Sequence, residues 1–527
     1  MSAPPQEEQL RLLAEDVLSE LERPKDLWEV AAYLEVSGIR DLDARQEYRC
    51  ADVFDLAGRI LSLTRQIPPV EPRKVRRQAP LLWRFIKSYA RGLLFSMPMA
   101  SQMFAMLLFG YSLWAWVDFS LREATAIGLG TVMSFLVTGG FAQAIARRGL
   151  FYLHQKEDIL TKKVSYRFFL VGLIAAVALG LFFFLVNVVF EMLSPDMAFY
   201  AQLYYFMLSL LWLSFSILYM LRQQLLFTLI TAAAIIIVHV AILIMNWPMI
   251  AAQSLGLGAA IALSLIAGWL ILHLRAKRAE AEFANTQMPR TSMVVYAVAP
   301  YFFYGTLYFA FLFADRLIAW SSDTGRGLIP YFIWFDSRYE LGMDWALLCF
   351  VLIVGVLEFT IEEFSERVVP SEQAARADGF AAFNQRFTRF YYSHLVLFLV
   401  VSSVSVFGAF FGMIYLRDTG VFPFIESFFD PVTEWVFWWA ATGYVFLVWG
   451  LFNSIFLFAL SRPAFVLRSL TPALVLNVVV GFVLSRTVSY DWAVIGLTVG
   501  SLAFMLTSGY YTRRTFKKLD YFYYSAY

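Results

Sequence analysis

Long apolar runs follow one another through most of this 527-residue chain, from Leu93 to about Arg513. Phe168–Met192 is a clear example, since it contains no charged residue before Glu191. The hydrocarbon core of a bilayer is about 30 Å thick and needs about 20 helical residues to cross it. The runs are continuous rather than alternating in polarity, so we expect helices, because only helices and closed barrels satisfy their backbone in lipid. The sequence predicts an all-α integral membrane protein.

Composition agrees with this class and argues against catalysis. Charged residues make up 16% of the chain, whereas a soluble protein carries about 25%. The sequence contains no phosphate-binding loop, no HExxH and no GxSxG motif, so we expect no enzyme activity. It also contains no CxxC and no Cys/His cluster, so we expect no metal site. Its two cysteines, Cys50 and Cys349, lie in regions of opposite polarity, so a disulfide between them is not expected.

Residues 1–80 differ from the rest of the chain. Leucines at 10, 13, 18 and 21 follow a helical period, and two further amphipathic stretches come after Pro24. The acidic start lacks the apolar core of a secretory signal, and its charge argues against a nucleic-acid partner. We expect a small cytosolic helical module that either docks a partner or forms a flexible arm. A basic, proline-rich linker, residues 67–80, separates it from the apolar runs.

About twelve membrane spans are predicted. They divide into an N-terminal half, residues 81–274, an inter-half link, 275–292, a C-terminal half, 293–513, and a tail, 514–527. The tenth span is expected to begin as an interfacial helix at Pro431–Trp439. The predicted spans are 93–116, 124–145, 168–191, 198–220, 224–246, 249–273, 294–319, 342–364, 394–416, 432–460, 464–485 and 490–511.

Connections that are rich in basic residues alternate along the chain with connections that contain almost none. The segment before the first span and the connections after the second, sixth and eighth spans are rich in Lys and Arg. The connections after odd-numbered spans are almost free of them. Because Lys and Arg concentrate in cytoplasmic loops, this predicts that both termini lie in the cytosol.

The two halves share one spacing. A basic, amphipathic connection of about 20 residues follows the second span, and a similar one of nearly 30 follows the eighth. Six spans per repeat give both repeats the same orientation, and such repeats pack around a substrate site that lies between them. The sequence therefore predicts two six-helix pseudo-repeats with the layout of an alternating-access transporter.

Charged residues inside apolar runs are the first candidates for a substrate pathway, because they are costly in lipid. Glu358 is the deepest acid of the eighth span, and Glu362 lies four residues on, on the same helical face. The alternative is a helix end that emerges into the headgroup layer, with Glu362 and Glu363 solvated. Asp315 and Arg316 near the end of the seventh span are further pathway candidates, or else interfacial anchors.

Single polar residues form a second group of pathway candidates: Asn187, His239 and Asn477. Hydrogen bonds between helices are the alternative use of such side chains. Tyr301, Tyr304 and Tyr308 follow a helical spacing. Their rings suit the apolar faces of sugars, although aromatic belts at the membrane interface produce the same pattern.

The chain resembles the multidrug/oligosaccharidyl-lipid/polysaccharide (MOP) flippase superfamily in its layout of two six-helix halves. Within that superfamily, the second half resembles the membrane transporter of the Pel exopolysaccharide system. The residues that carry this narrower resemblance are Asp315–Trp320 (DRLIAW), Phe335–Phe364 and the aromatic end Leu519–Tyr527. The 80 residues before the first span depart from that pattern. The resemblance implies no cofactor.

The function that this resemblance implies is export of an exopolysaccharide, or flipping of a lipid-linked saccharide, across a bacterial inner membrane. Expected partners are membrane lipid, the saccharide and a cytosolic glycosyltransferase or other synthase subunit, which residues 1–80 could dock. An ion-coupled small-molecule antiporter of the multidrug and toxin extrusion (MATE) type is the alternative within transport. A membrane scaffold for a glycan synthase is the alternative outside it.

Overall fold

The computed structural model describes residues 6–21, 24, 26–37, 39, 41–46, 48–64, 80–280, 290–322, 332–373, 380–421 and 424–525. Nearly all of the predicted basic linker, and parts of the inter-half link and of the connection after the eighth span, lie outside these residues. The chain divides into two compact units, Met1–Trp83 and Arg84–Tyr527.

The first unit is a small helical module. Its helices are α1 (Gln6–Leu21), α2 (Leu27–Val36), α3 (Asp41–Gln46) and α4 (Val53–Thr64). Asp26 caps α2 by accepting a hydrogen bond of 2.9 Å from the Glu29 N–H, which satisfies one of the free donors at the helix start. Apolar residues of α1, α2 and α4 close a core that also buries Cys50, and this burial raises the pKa of the Cys50 thiol. The predicted helical module is confirmed.

The second unit contains the membrane helices. Eleven of its described helices are long and apolar enough to cross a bilayer, and the bent α5 would make a twelfth. This confirms the predicted all-α membrane fold. The helices are α5 (Leu81–Phe109), α6 (Leu121–His154), α7 (Asp158–Phe190), α8 (Pro195–Met220), α9 (Gln224–Leu243), α10 (Met249–Glu280), α11 (Thr291–Trp320), α12 (Ser337–Gln373), α13 (Phe380–Asp418), α14 (Pro431–Ala459), α15 (Pro463–Thr487) and α16 (Ala493–Phe516), followed by the short α17 (Leu519–Tyr524).

The first span differs from its predicted position. It bends by 63° between Leu82–Leu94 and Ser96–Phe109, and Pro98 lies just after the bend, where its ring and missing N–H disrupt the preceding turn. The helix ends at Phe109, before the predicted end of the span at 116. A tight turn follows, in which the Val117 N–H donates to the Gly110 carbonyl at 2.9 Å. Gly110 has a φ of +74°, which favours glycine.

Two other predicted boundaries are also corrected. The long connection expected after the second span is mostly helix, because α6 continues to His154 and α7 begins at Asp158. The tenth span has no separate interfacial helix, since α14 runs unbroken from Pro431 to Ala459. Amphipathic segments beside a membrane helix simply continue it, because a helix already satisfies its own backbone.

The two halves repeat one another in detail. We call α5–α10 lobe 1 and α11–α16 lobe 2. Pro195 and Pro431 begin the fourth helices of the two lobes. The turns after these helices each contain a left-handed residue, Arg222 and Ser461, at the same distance from the next helix. Gly256 and Gly500 each approach a backbone carbonyl of the helix before, that of Ala234 and of Ala473.

The lobes contact each other along two equivalent seams. In one, α6 of lobe 1 packs against α11 of lobe 2, and Gly139 faces Gly305 so closely that an added Cβ on Gly305 would overlap the Gly139 carbonyl. In the other, α5 packs against α12, where an added Cβ on Gly92 would lie 2.8 Å from the Gly355 Cα. Gly139 and Gly355 lie equally far from the first residues of their helices. Small residues let helix backbones approach in this way.

Substituting Gly305 with alanine should destabilise the bundle by about 1–3 kcal/mol, since overpacked contacts cost this much. The added methyl must push α11 away from α6. Thermal unfolding of the purified protein in detergent measures the effect. Gly408→Ala is the matched control, because nothing lies within 4 Å of its added Cβ. Equal Tm values for the two variants would refute the close contact.

Candidate functional site

Glu358 lies at the α5–α12 seam and not on a lipid-facing surface. An added Cβ on Gly92 would lie 3.1 Å from the Glu358 Cβ, so the acid stands beside α5 of the opposite lobe. The charges of Arg222 and Arg91, both from lobe 1, act on this half-buried carboxylate. An acid of one lobe is thus surrounded by cations of the other.

Four tyrosines connect the surroundings of Glu358 with the interior of lobe 2. Tyr219 of α8 is 41% exposed and lies within electrostatic range of Glu358. Tyr304 and Tyr308 of α11 follow, with ring centroids 6.0 Å apart, and Tyr308 lies near Tyr444 of α14. We call these four tyrosines the tyrosine column.

An acidic cluster lies at the other end of this column, inside lobe 2. Arg316 pairs with Glu340 at 3.0 Å, and the Trp320 indole donates to the same carboxylate at 3.0 Å. The Tyr339 hydroxyl donates to Asp315 at 2.7 Å. Asp344 lies close enough for its charge to act on Arg316. Three carboxylates thus share one guanidinium in a bundle interior.

Asp315 and Arg316 are both buried, with exposures of 0% and 9%, so neither is an interfacial anchor. Asn477 of α15 lies close by, since its amide donates to the Phe311 carbonyl, one turn before Asp315, at 2.9 Å. Among the described residues, Asp315 Oδ1 and Asn477 Oδ1 are buried without a hydrogen-bond partner. Such oxygens are costly unless a proton or cation satisfies them.

Two other candidates lie away from the seams. Asn187 closes the turn after α7, where its Oδ1 accepts from the Leu193 N–H at 2.7 Å. His239 of α9 contacts Tyr111 through its Nδ1 at 2.7 Å and lies against the Phe109 ring. Both side chains hold local structure inside lobe 1 and bond to residues in turns rather than to a second helix.

Glu362 takes part in an ion-pair network across the α5–α12 seam. Arg91 donates to Glu362 at 2.9 Å, and Ser88 donates to the same carboxylate. Glu363 is buried, contacts Arg84 of α5 and pairs with Arg367 at 2.6 Å. We call these six residues the seam network. It ties one end of α5 in lobe 1 to the end of α12 in lobe 2.

Sequence reasoning missed several of these residues. Glu363 entered the sequence analysis only as a solvated residue in the alternative interpretation of this helix end, yet it is 3% exposed. Glu340 and Asp344 are four residues apart and so share a face of α12; Glu340 fell outside the predicted span, which began at 342. Arg84 and Lys87 of α5 indicated orientation, and the spacing of Arg84, Ser88 and Arg91 could also have indicated a polar helical face.

Comparison with known proteins gives similarity in structure alone. No protein-family model matches the chain, and no curated relative matches its sequence. The eukaryotic MATE transporter AtDTX14 matches with a TM-score of 0.54 and 12% identity, over 85% of this chain and 99% of that one. A mutant of the Vibrio cholerae MATE transporter VcmN matches with a TM-score of 0.54 and 12% identity, over 84% and 98%.

An outward-facing multidrug-resistance MATE family transporter of the MOP superfamily matches with a TM-score of 0.50 and 14% identity, over 84% of this chain and 100% of that one. The chain therefore has the fold of the MATE transporters. This agrees with the resemblance to the MOP layout, whereas no comparison supports the narrower resemblance to the Pel transporter.

Glu363→Gln should destabilise the protein by about 2–4 kcal/mol, because it removes the buried carboxylate that Arg84 and Arg367 contact. Asp418→Asn is the matched control. It removes an acid that is 63% exposed and pairs with Arg417, and should cost less than about 1 kcal/mol. Thermal unfolding in detergent compares the two. If the seam network did not stabilise the folded protein, both variants would keep the wild-type Tm.

Proposed function

We propose that this chain is a membrane transporter in which an organic substrate crosses between the two lobes by alternating access, coupled to proton movement in the manner of a MATE-type antiporter. The observation that carries this proposal is the series of polar side chains that runs from Glu358 at the seam, through the tyrosine column, to the acidic cluster in the interior of lobe 2. The fold shared with solved MATE transporters supports it. A scaffold would have no need of such a series.

Charged groups within a bundle are expensive, so they are retained where they act on an ion or a substrate. In the acidic cluster, Asp315, Glu340 and Asp344 outnumber Arg316. Bringing the cluster close to neutrality requires a carboxylate to take up a proton, because like charges that share one site cannot all remain ionised. Proton uptake there changes the charge that lies beside the tyrosine column. This is the basis for the proposed coupling.

The tyrosine column favours a second candidate, export of a saccharide. Tyr219 is exposed and Tyr308 is half-buried, so these two rings offer apolar faces and hydroxyl groups, and Glu358 and Arg222 add acceptors and donors at one end. A polyhydroxyl substrate suits such a lining as well as an aromatic cation does. This second candidate is the export of an exopolysaccharide or lipid-linked saccharide that was expected in the sequence analysis. Its expected partner is a glycosyltransferase.

Proteoliposomes that are acidic inside and alkaline outside test both candidates. Uptake of ethidium driven by the gradient supports the antiporter, and uptake of a fluorescent maltooligosaccharide supports saccharide transport. Asp315→Asn should reduce gradient-driven uptake about tenfold or more, yet leave substrate exchange without a gradient, because an amide mimics the protonated acid. Asp418→Asn should change neither. Absence of gradient-dependent uptake of either probe would overturn the proposal.

We also propose that both termini face the cytosol of a bacterial inner membrane, since the basic residues of the chain concentrate at that end. Single cysteines at Lys163 and Arg278, in a chain with Cys50 and Cys349 replaced by alanine, should resist a membrane-impermeant maleimide in spheroplasts. A cysteine at Asp196, which is exposed in the first turn of α8, should react. The opposite labelling pattern would mean that both termini lie on the other side of the membrane.

A further inference from the structure

A groove on the side of lobe 2 is not used by the proposed transport. It lies between α13, α14 and α16, at the end of the bundle where α16 ends, and has a volume of about 820 Å³. At this end Asn384 ties α13 to α17, the short helix that follows α16, because its amide donates to Asp520 at 2.8 Å. The groove opens where lobe 2 meets its surroundings, away from both seams.

The mouth of the groove is strongly basic. Arg513, Arg514 and Lys517 line it, and all three are exposed. The Arg513 Nε donates to the Tyr392 hydroxyl at 2.9 Å, so this guanidinium is held in place at the rim. No carboxylate occurs among the described residues that line the groove. These cations therefore remain available for an anionic ligand.

The walls beyond the mouth are apolar. Leu395, Trp449 and Leu506 line the groove, and Leu506 is 60% exposed. Leu506 lies two helical turns from Arg513, which places it about 10 Å deeper at a rise of 1.5 Å per residue. Neighbouring Val396 is 61% exposed, as expected of a lipid-facing surface. The basic mouth and the apolar walls of the groove match the charged headgroup and the apolar acyl chain of a single phospholipid.

We infer that this groove binds an anionic phospholipid, with its phosphate at Arg514 and Lys517 and one acyl chain along Leu395 and Leu506. Basic pockets between membrane helices at the headgroup level recognise such lipids, because Arg and Lys form charge-assisted hydrogen bonds to phosphate. Arg513 assists through its fixed guanidinium. A zwitterionic lipid presents the same phosphate with a compensating cation, so it should bind more weakly.

Native mass spectrometry of the delipidated, purified chain tests the inference. Wild-type protein should retain phosphatidylglycerol at about tenfold lower lipid concentration than phosphatidylcholine, and R514Q/K517Q should lose this preference. The matched control K277Q/R278Q removes two exposed cations from the last turn of α10 and should keep the preference. The single variant K517E tests the same site should the double variant fail to fold.

Three outcomes would overturn the inference. The first is an unchanged phosphatidylglycerol preference in both R514Q/K517Q and K517E. The second is an equal loss in K277Q/R278Q, since that would indicate only general attraction to positive charge. The third is competition by soluble glycerol phosphate as effective as that by phosphatidylglycerol, because it would assign the site to a free phosphate compound. Leu506→Gln should weaken both lipids alike, which separates the apolar wall from the basic mouth.

Discussion

Close contact between glycine-containing helices sets the geometry on which the rest of this protein depends. Apolar side chains gain little by leaving lipid for a helix interface, so lobes in a bilayer associate through tight packing and polar contacts. Gly305 against Gly139 and Gly92 against Gly355 provide that packing on two equivalent seams. The same approach brings α5 and α12 near enough for Arg91 to reach Glu362. The polar chemistry between the lobes is therefore possible only because the backbones first come together.

The charged residues of the bundle form two groups that differ in their ratio of guanidinium groups to carboxylates. The seam network offers three guanidinium groups to two carboxylates, Glu362 and Glu363. The acidic cluster offers three carboxylates to Arg316 alone. A paired charge in a low-dielectric setting holds two elements together, whereas an excess of one sign favours uptake of a counter-charge. The first group thus suits a contact between lobes, and the second suits an exchangeable proton.

Much of this architecture could be predicted from the sequence, because lipid leaves few choices of backbone structure. Apolar length predicted the number of spans, and their spacing predicted two halves. Boundaries were predicted less well, since a helix continues through amphipathic residues such as those that end α6 and start α7. The candidate site was predicted only in part. Glu358 and Asp315 stood out as charges in apolar runs, but periodicity in one helix does not reveal a partner on another, so the Arg222 and Tyr219 that surround Glu358 were not expected.

One helix carries acids of both groups. Glu340 and Asp344 lie near the start of α12, and Glu358, Glu362 and Glu363 lie toward its end. A helix of this length spans about 55 Å and transmits displacement as a rigid element. Gly355 lies between the two groups and is the point at which α12 crosses α5. A tilt of α12 about this contact would move Glu362 and Glu363 relative to α5. One helix thus joins the acidic cluster at its start to the seam network toward its end.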